Sequence, residues 1–334
     1  MFVVAQIGCG YWGPNLLRNF YDQHNTRVKY LVDLSDDRRR FSKVKFPSIT
    51  THDNPSVIFD DPEVDAVIIA TPAHTHYHLA KQALESGKHV FVEKPLATSV
   101  AEVDTLQEIA QKSSLTVMSG HTFLYNDAVM YIKEQVNSGT LGDIRYLYSQ
   151  RLNLGRIRSD IDALWNFAPH DISIIQYLLD NPEPEEVNSQ GMSFIQSSID
   201  DVVFLNIKYS GIMANIHVSW LDPLKVRKLV VVGSEKMIVY DDVAEDKIAI
   251  YDKGIDRFSN VGENMDFDEP RQESFRYRSG DILIPKLDYV EPLRREAQHF
   301  KDCVLSKAAP LTGIRHSREV IRILEMASGH KGDL

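Results

Sequence analysis

The first third of the chain alternates short apolar runs with segments of helical periodicity. The apolar runs predict buried strands at 2–7, 28–32, 66–70, 89–92 and 115–118. Helices predicted at 14–20, 36–41, 76–86 and 100–112 fill the gaps between them. Strands that are apolar throughout and alternate with helices are typical of an α/β fold with a parallel, doubly wound sheet. We therefore expect one such domain over residues 1–120.

Beyond residue 120 the pattern changes, because strands follow one another with few helices between them. Helices are predicted at 127–137 and 169–179, and two amphipathic ones at 292–305 and 317–327. The strands are predicted at 144–154, 202–209, 213–220, 228–232, 237–240 and 248–251. This order favours an α+β domain over residues 121–334 with a mainly antiparallel sheet, open on one face. The polar segment 253–280 lacks apolar periodicity and predicts a long loop.

Composition narrows the class of partner. The 334 residues are 43% hydrophobic and 25% charged, with a net charge of -10, which disfavours nucleic acid and anionic membranes. No apolar run is long enough for a membrane helix, so we expect a soluble protein without a targeting segment that binds small molecules. The two cysteines, Cys9 and Cys303, are far apart and indicate a reducing, cytoplasmic compartment. His74 and His78 have no clustered acids or cysteines nearby, so no metal site is predicted.

A glycine-rich motif links the first predicted strand to the first helix. Gly8, Gly10 and Gly13 form GxGxxG, the fingerprint of a dinucleotide-binding Rossmann domain. The first glycine permits a tight turn, the second lets a pyrophosphate approach the backbone, and the third lets helix and strand pack closely. We expect Tyr11 and Trp12, in the same loop, to contact the cofactor as well.

Asp33 ends the second predicted strand, about 20 residues after the last glycine, where a carboxylate accepts hydrogen bonds from the adenosine ribose. A carboxylate there repels the extra phosphate of NADP, so NAD is the expected cofactor. Arg38–Arg40 offer an alternative that would accommodate NADP, although a solvated helical turn explains them more simply.

Further cofactor contacts are expected at the carboxyl end of the sheet, where open sheets of this type hold their ligands. Thr71 and Pro72 follow one strand, with His76 just beyond them. Glu93 and Lys94 follow the next strand, and a lysine there points toward the cofactor cleft.

Together these motifs resemble the Gfo/Idh/MocA oxidoreductases. The resemblance is carried by GCGYWG at 8–13, Asp33, Ala-Thr-Pro at 70–72 and Glu-Lys-Pro at 93–95, and it extends over essentially the whole chain. It implies a Rossmann domain followed by an open-faced sheet domain, and an NAD(P)-dependent dehydrogenase acting on a CH–OH group.

The resemblance also implies catalytic residues. Lys94 takes the place of the family's active-site lysine, and His170, within 165–171, that of its catalytic histidine. Many relatives carry Asp where this chain has Asn166, which can orient an imidazole or a hydroxyl but cannot stabilise imidazolium by charge. We assign His170 as the base, Lys94 as the positive group beside the developing alkoxide, and Asn166 as a holder of substrate or imidazole. The roles of lysine and histidine could be exchanged.

The substrate prediction rests on a resemblance of four segments, 10–13, 120–126, 151–158 and 165–172, to UDP-N-acetylglucosaminuronate 3-dehydrogenases of surface-polysaccharide synthesis. Arg151, Arg156 and Arg158 are a basic group suited to a diphosphate or uronate. An exposed strand and loop explain them equally well. Tyr125 and Asn126, just past the last strand of the first domain, are expected to reach a sugar.

Three alternatives stay open. One is an inositol or free-sugar dehydrogenase of the same family, which would need no diphosphate site. A second is a non-catalytic NAD-binding regulator, against which the presence of both Lys94 and His170 argues. The third is an NADPH-dependent keto-sugar reductase, which Asp33 disfavours. The apolar sheet face expected within 202–220 predicts a homo-oligomer, either dimer or tetramer.

Overall fold

A computed structural model describes residues 1–259 and 273–329. The chain divides into two compact units, each made of separate segments. Unit 1 comprises Met1–Val129, Pro169–Glu183 and Asp288–Leu334, and unit 2 comprises Met130–Ala168 and Pro184–Leu287. The sequence places a single boundary at residue 120, whereas the segments that contain the C-terminal helices and His170 pack with the first unit.

The sheet of unit 1 is parallel and has six strands in the order β3-β2-β1-β4-β5-β6. They are β1 (Phe2–Ile7), β2 (Thr26–Val32), β3 (Thr50–His52), β4 (Ala66–Ile69), β5 (His89–Glu93) and β6 (Val117–Gly120). The doubly wound α/β prediction is confirmed. Strand order reverses between β1 and β4, and a ligand of such a sheet binds at the carboxyl ends of the strands at this switch point.

Helices connect the strands, although the short α3 was not predicted and α2 extends beyond its predicted end at residue 41. They are α1 (Gly13–Tyr21), α2 (Asp36–Lys45), α3 (Ser56–Phe59), α4 (His76–Glu85), α5 (Val100–Ser113), α6 (Asp127–Asn137), α7 (Ala163–Leu178), α8 (Pro292–Ser306) and α9 (Ile314–Gly329). The phenyl rings of Phe20 in α1, Phe91 in β5 and Phe300 in α8 meet edge to face at 5.7–6.2 Å. This aromatic cluster explains why α8 belongs to unit 1 although it lies far along the chain.

Unit 2 contains a sheet of eight strands in the order β14-β13-β12-β11-β7-β10-β9-β8. They are β7 (Ile144–Leu154), β8 (Glu186–Met192), β9 (Val202–Tyr209), β10 (Ile212–Ser219), β11 (Leu221–Gly233), β12 (Met237–Asp241), β13 (Ile248–Ser259) and β14 (Glu273–Leu283). Among the described strands of this sheet only β7 and β10 pair in parallel, which confirms the mainly antiparallel sheet. Buried and exposed residues alternate along β9, so one face packs and the other is open.

Two local predictions are wrong. The segment 253–280 was expected to be a loop, but its ends belong to β13 and β14, which pair with each other; residues 260–272 lie outside the described part. Helix α7 begins at Ala163, before the predicted start at Pro169, and Asp162 caps it by accepting from the Trp165 amide at 3.0 Å. Pro169 therefore lies inside the helix. No helix in the described ranges is long and apolar enough to cross a membrane.

Candidate active site

In the glycine loop after β1, neighbouring atoms leave no room for a side chain at two of the three glycines. Gly8 has φ +92°, and a Cβ there would lie 2.5 Å from the Ala70 carbonyl oxygen. A Cβ on Gly13 would lie 2.9 Å from the Gly8 carbonyl oxygen. A Cβ on Gly10 would meet only the Arg38 guanidinium, at 3.5 Å. The protein's own packing therefore requires Gly8 and Gly13, whereas Gly10 leaves the backbone open to a ligand.

Two further features prepare this loop for a pyrophosphate. The buried Gln6 side chain donates to the carbonyl oxygens of Gly8 and Gly13 at 2.8 and 3.0 Å, which joins the two ends of the turn. Within the described residues, no side chain caps the N-terminus of α1, where a helix favours an anion. Pro14 has no N–H, and the Asn15 and Leu16 amides donate to the Trp12 carbonyl oxygen at 3.0 and 3.4 Å. The sequence reasoning missed Gln6, although a lone amide inside an apolar strand was a visible signal. These residues fit the pyrophosphate of NAD.

Asp33 lies at the end of β2, next to the glycine loop, as predicted. Its Oδ2 accepts from the Cys9 amide at 2.7 Å and its Oδ1 from the Ser35 amide at 2.8 Å. A carboxylate has about four acceptor positions, so these bonds orient Asp33 and leave capacity for ribose hydroxyls. The Arg38 guanidinium lies 3.8 Å from Asp33 Oδ2. Arg38 lies near the start of α2 with its side chain 54% exposed, so the predicted solvated helical turn also adjoins the candidate adenosine site.

The loops after β4 and β5 are tied together by His76. Its Nδ1 lies 2.7 Å from the Pro95 carbonyl oxygen and its Nε2 lies 2.8 Å from that of Thr71. The residue is 1% exposed, and burial lowers the pKa of its imidazole. His76 was expected to contact the cofactor; instead its ring supports the two loops that contain Thr71, Pro72 and Lys94.

Glu93 and Lys94 lie at the carboxyl end of β5. Glu93 Oε2 accepts from the Lys94 amide at 3.2 Å, and the nearby Trp12 side chain acts to lower the pKa of this carboxyl. A Cβ added at Gly120 would lie 3.2 Å from Glu93 Oε2. Glycine at this position therefore makes room for the carboxyl. Burial raises the pKa of Glu93 to about 7, although the neighbouring Lys94 charge lowers it. Trp12 is thus connected to the lysine loop, while Tyr11 is 92% exposed.

His170 occupies helix α7 immediately after Pro169. Its ring meets the Phe123 ring edge to face, with centroids 5.1 Å apart. Phe123 belongs to the short 3-10 helix Thr122–Tyr125 that follows β6, next in the sheet to the strand that ends at Glu93. Asn166 precedes His170 by one turn of the same helix. Sequence reasoning missed Phe123, since nothing local connects it with residue 170.

Buried polar side chains lie behind this edge of the sheet. His121 is 2% exposed; burial lowers the pKa of its imidazole well below the usual value, with smaller contributions from His316 and Lys94. Glu296 is fully buried and accepts from the Thr122 hydroxyl at 2.6 Å, and burial raises its pKa well above the usual value. Perturbed groups of this kind concentrate at functional sites.

Tyr125 and Asn126 were predicted to contact a sugar, but their side chains make contacts within unit 1. Tyr125 is 5% exposed, its hydroxyl lies 3.4 Å from the Thr312 hydroxyl, and burial raises the pKa of its phenol above the usual range. The Asn126 side-chain oxygen accepts from the Ala128 amide at 2.9 Å and so caps α6. Both residues therefore serve the local structure.

The three arginines predicted to bind a diphosphate occupy different environments. Arg151 is 6% exposed within β7, and Arg156 lies on the surface of the following segment. Arg158 forms a two-point ion pair with Asp160, with N–O distances of 2.9 and 2.5 Å. Since Asp160 already neutralises Arg158, Arg156 is the exposed member of the predicted group.

Two family models match this chain and show which protein family it belongs to. Residues 2–121 match the oxidoreductase family with an NAD-binding Rossmann fold, and residues 129–239 match the GFO/IDH/MocA C-terminal domain. The chain belongs to the Gfo/Idh/MocA family. Its first domain is accordingly an NAD-binding domain, and the expected cofactor, NAD, is confirmed.

Individual relatives of this Gfo/Idh/MocA protein have diverse activities. A 2,7-anhydro-N-acetylneuraminate hydratase of Mediterraneibacter gnavus is 23% identical over 95% of this chain and 86% of its own. A UDP-N-acetylglucosamine 3-dehydrogenase of Acidithiobacillus ferrooxidans is 29% identical over 63% of this chain and 66% of its own. The crystal structure of GenD2 from gentamicin A biosynthesis, in complex with NAD, has a TM-score of 0.82 at 20% identity and covers 99% of this chain and 94% of that one. The last similarity shows the shared fold.

Proposed function

We propose that this protein is an NAD-dependent dehydrogenase that oxidises a secondary hydroxyl of a sugar, at carbon 3 of a UDP-linked N-acetylated amino sugar or uronate used in surface-polysaccharide synthesis. One observation carries the proposal. Lys94 and His170 belong to the same compact unit as the NAD-binding sheet, although they are far apart in sequence. Oxidation of an alcohol needs a base and a positive group at one site, and this unit contains both.

We assign the proton transfer to His170. Its imidazole is partly exposed and lies against Phe123, so one side of the ring is supported while the residue stays accessible. Imidazole is well matched to proton transfer near neutral pH. Asn166, one helical turn earlier, is assigned to orient the imidazole or a sugar hydroxyl. Bound NAD supplies the hydride acceptor.

We assign Lys94 to stabilise the developing alkoxide. Its backbone is oriented from two directions, by the Glu93 carboxylate on its own amide and by His76 on the next carbonyl along the chain. Such support is what holds a charged group in position without reorganisation during the reaction. The opposite assignment, with Lys94 as base and His170 as electrostatic partner, uses the same two residues.

Fewer observations support a nucleotide sugar as the substrate than support the dehydrogenase activity. The Acidithiobacillus relative is named for UDP-N-acetylglucosamine, and Arg156 offers an exposed guanidinium in the segment after β7. A guanidinium binds phosphate or carboxylate oxygens in a two-point geometry. Arg158 is assigned the same role only if a substrate displaces Asp160 from it.

A single-turnover assay tests the function. Stoichiometric enzyme and NAD are mixed with UDP-N-acetylglucosaminuronate, UDP-N-acetylglucosamine or myo-inositol, and NADH absorbance is followed. We expect a burst with a UDP-sugar that is lost in Lys94→Ala and in His170→Ala. A burst with inositol alone would retain the dehydrogenase and remove the nucleotide sugar. Silence with all three, together with intact NAD binding, would favour the regulator.

The Mediterraneibacter relative motivates a second candidate, the addition of water to an anhydro-sugar, because its similarity spans 95% of this chain. The same assay is run with 2,7-anhydro-N-acetylneuraminate, and the products are identified by mass spectrometry. A hydrated product without net NADH would support this candidate over the dehydrogenase.

We also propose that the protein forms homo-oligomers through the open face of the unit 2 sheet. Tyr146 on β7, Phe204 on β9 and Met213 on β10 are 45%, 46% and 56% exposed. Tyr146 stacks on Tyr148, and Phe204 stacks on His217. Large apolar side chains exposed on one face of a sheet are typical of interaction sites. Light scattering of Phe204→Glu and Met213→Glu tests the proposal, since a particle mass equal to that of wild type would contradict it.

The cellular location is proposed to be the cytoplasm. Cys9 and Cys303 are free thiols and both are buried, which suits a compartment in which disulfides do not form. Immunoblotting of fractionated cells with antibody against this chain tests the location.

A further inference from the structure

We propose that His316 is a positioning residue that holds helix α7, and with it His170, against the NAD-binding sheet. This inference rests on the proposed function, in which His170 transfers the proton. His316 lies in the C-terminal part of the chain, and no sequence motif points to it.

His316 touches α7 and the turn after it at two points. Its Nε2 lies 2.8 Å from the Ser173 hydroxyl, and its Nδ1 lies 2.7 Å from the Asn181 side-chain oxygen. Ser173 lies inside the helix, and Asn181 follows its end with φ +56°. Two bonds to points so far apart along the segment restrain both its rotation and its translation.

The chemistry of the partners defines the state of the ring. An amide oxygen only accepts, so His316 Nδ1 carries the hydrogen and donates to Asn181. Nε2 of the neutral ring then accepts from the Ser173 hydroxyl. Burial lowers the pKa of His316 to about 4, so the ring stays neutral in neutral solution and both bonds persist.

The other side of His316 is fixed to the sheet. Thr312, just before α9, accepts from the Ser119 amide of β6 at 2.9 Å, and Gly313 forms a β-bridge with Met118. The His121 ring, directly after β6, meets the His316 ring edge to face at 5.4 Å. A continuous set of contacts therefore runs from β6 through His316 to Ser173.

Helix α7 has a particular need for this anchor. Pro169 lies inside the helix and lacks the N–H that would bond to the carbonyl four residues earlier. The backbone ladder is thus interrupted immediately before His170. Ser173, three residues after His170, is its neighbour on the helix surface, so a restraint on Ser173 acts close to the imidazole.

The test compares two replacements of His316 that keep a similar size. His316→Phe retains the ring shape and removes both nitrogens, whereas His316→Gln retains one donor and one acceptor. We expect His316→Phe to lower kcat about 10- to 100-fold, as misplacement of a catalytic group does, with an unchanged Kd for NAD. His316→Gln should recover most of the activity.

The partner side supplies a second pair of variants. Ser173→Ala removes the hydroxyl donor, and Asn181→Gly removes the amide while suiting the positive φ. Each should lower kcat by less than His316→Phe, and neither should add to it in a double variant. Arg318→Gln is the matched control, because Arg318 lies on the same helix but pairs with Asp104. We expect wild-type kcat from the control.

Hydrogen–deuterium exchange gives a readout that does not depend on turnover. We expect faster exchange over residues 170–181 in His316→Phe and unchanged exchange in Arg318→Gln. Wild-type kcat and exchange in His316→Phe would overturn the inference, as would a loss of NAD affinity that parallels the loss of kcat. If His170→Ala retained full activity, the proposed function would fail instead, and exchange alone would decide whether His316 anchors the helix.

Discussion

Two buried carboxyl groups, Glu93 in unit 1 and Asp201 in unit 2, have opposite pKa shifts. Burial acts to raise the pKa of Asp201, but the Trp220 indole at 2.6 Å and the amides of Phe194 and Ile195 outweigh it, so its pKa is lowered. Glu93 receives fewer donors, its Oε1 has no hydrogen-bond partner among the described residues, and its pKa is raised to about 7.

The difference distinguishes a buried carboxyl group that stabilises the fold from one that serves function. A carboxylate saturated with donors contributes to the fold of the sheet around it. A carboxyl that is short of donors and next to a lysine costs stability when ionised, and such groups are typical of active sites.

The largest expected effect is on the lysine beside Glu93. Lys94→Met keeps the length of the side chain and removes its charge, so we expect kcat to fall about 10²- to 10⁴-fold with an unchanged melting temperature. Stopped-flow NADH absorbance measures it. Lys81→Met, on the exposed surface of α4, is the control, and an equal loss there would make the effect nonspecific.

Asp201→Ala should mainly affect folding. It leaves the buried Trp220 indole and the partly buried amides of Phe194 and Ile195 without their acceptor, so we expect the free energy of unfolding to fall by roughly 3 kcal/mol. Urea denaturation measures the change, and Asp246→Asn in an exposed turn is the control. Retained stability would show that the saturated carboxylate does not support the sheet.

The third prediction concerns the pH dependence of stability. Glu93 has a pKa of about 7 in the folded protein and an ordinary value of 4.5 when unfolded. The native state therefore binds more protons between these values, and stability falls as pH rises from 4.5 to 7. Glu93→Gln removes this loss, so the variant should gain on the order of 2 kcal/mol relative to wild type at pH 8 but little at pH 4. If the free energies of unfolding of wild type and Glu93→Gln, measured in urea, changed with pH in the same way, the raised pKa of Glu93 would be contradicted.

The smallest effect is expected in the glycine loop. Gly10→Ala should weaken NAD binding about tenfold with an unchanged melting temperature, because its Cβ has room beside Arg38 but obstructs the pyrophosphate. Gly13→Ala should lower the melting temperature, since its Cβ would meet the Gly8 carbonyl. Titration of protein fluorescence with NAD distinguishes them, and equal affinities for Gly10→Ala and wild type would refute the ligand explanation.

Sequence patterns alone were enough to predict the parallel sheet, the glycine loop and the position of Asp33. These features depend on residues close together in the chain, because strand, turn and helix N-terminus form one continuous local unit. The presence of an open, mainly antiparallel sheet also followed from the order of its strands. The hairpin β13–β14 was missed because its polar sequence lacks apolar periodicity and its backbone pairing leaves little trace in side-chain pattern.

The burial of individual side chains and their contacts could not be predicted from the sequence. Tyr125 is buried because Thr312 lies beside it, and Ser173 is held because His316 reaches it, although both partners lie more than a hundred residues further along the chain. His170 belongs to unit 1 for the same reason. A side chain's exposure and partners are set by packing between distant segments, and no local pattern contains that information.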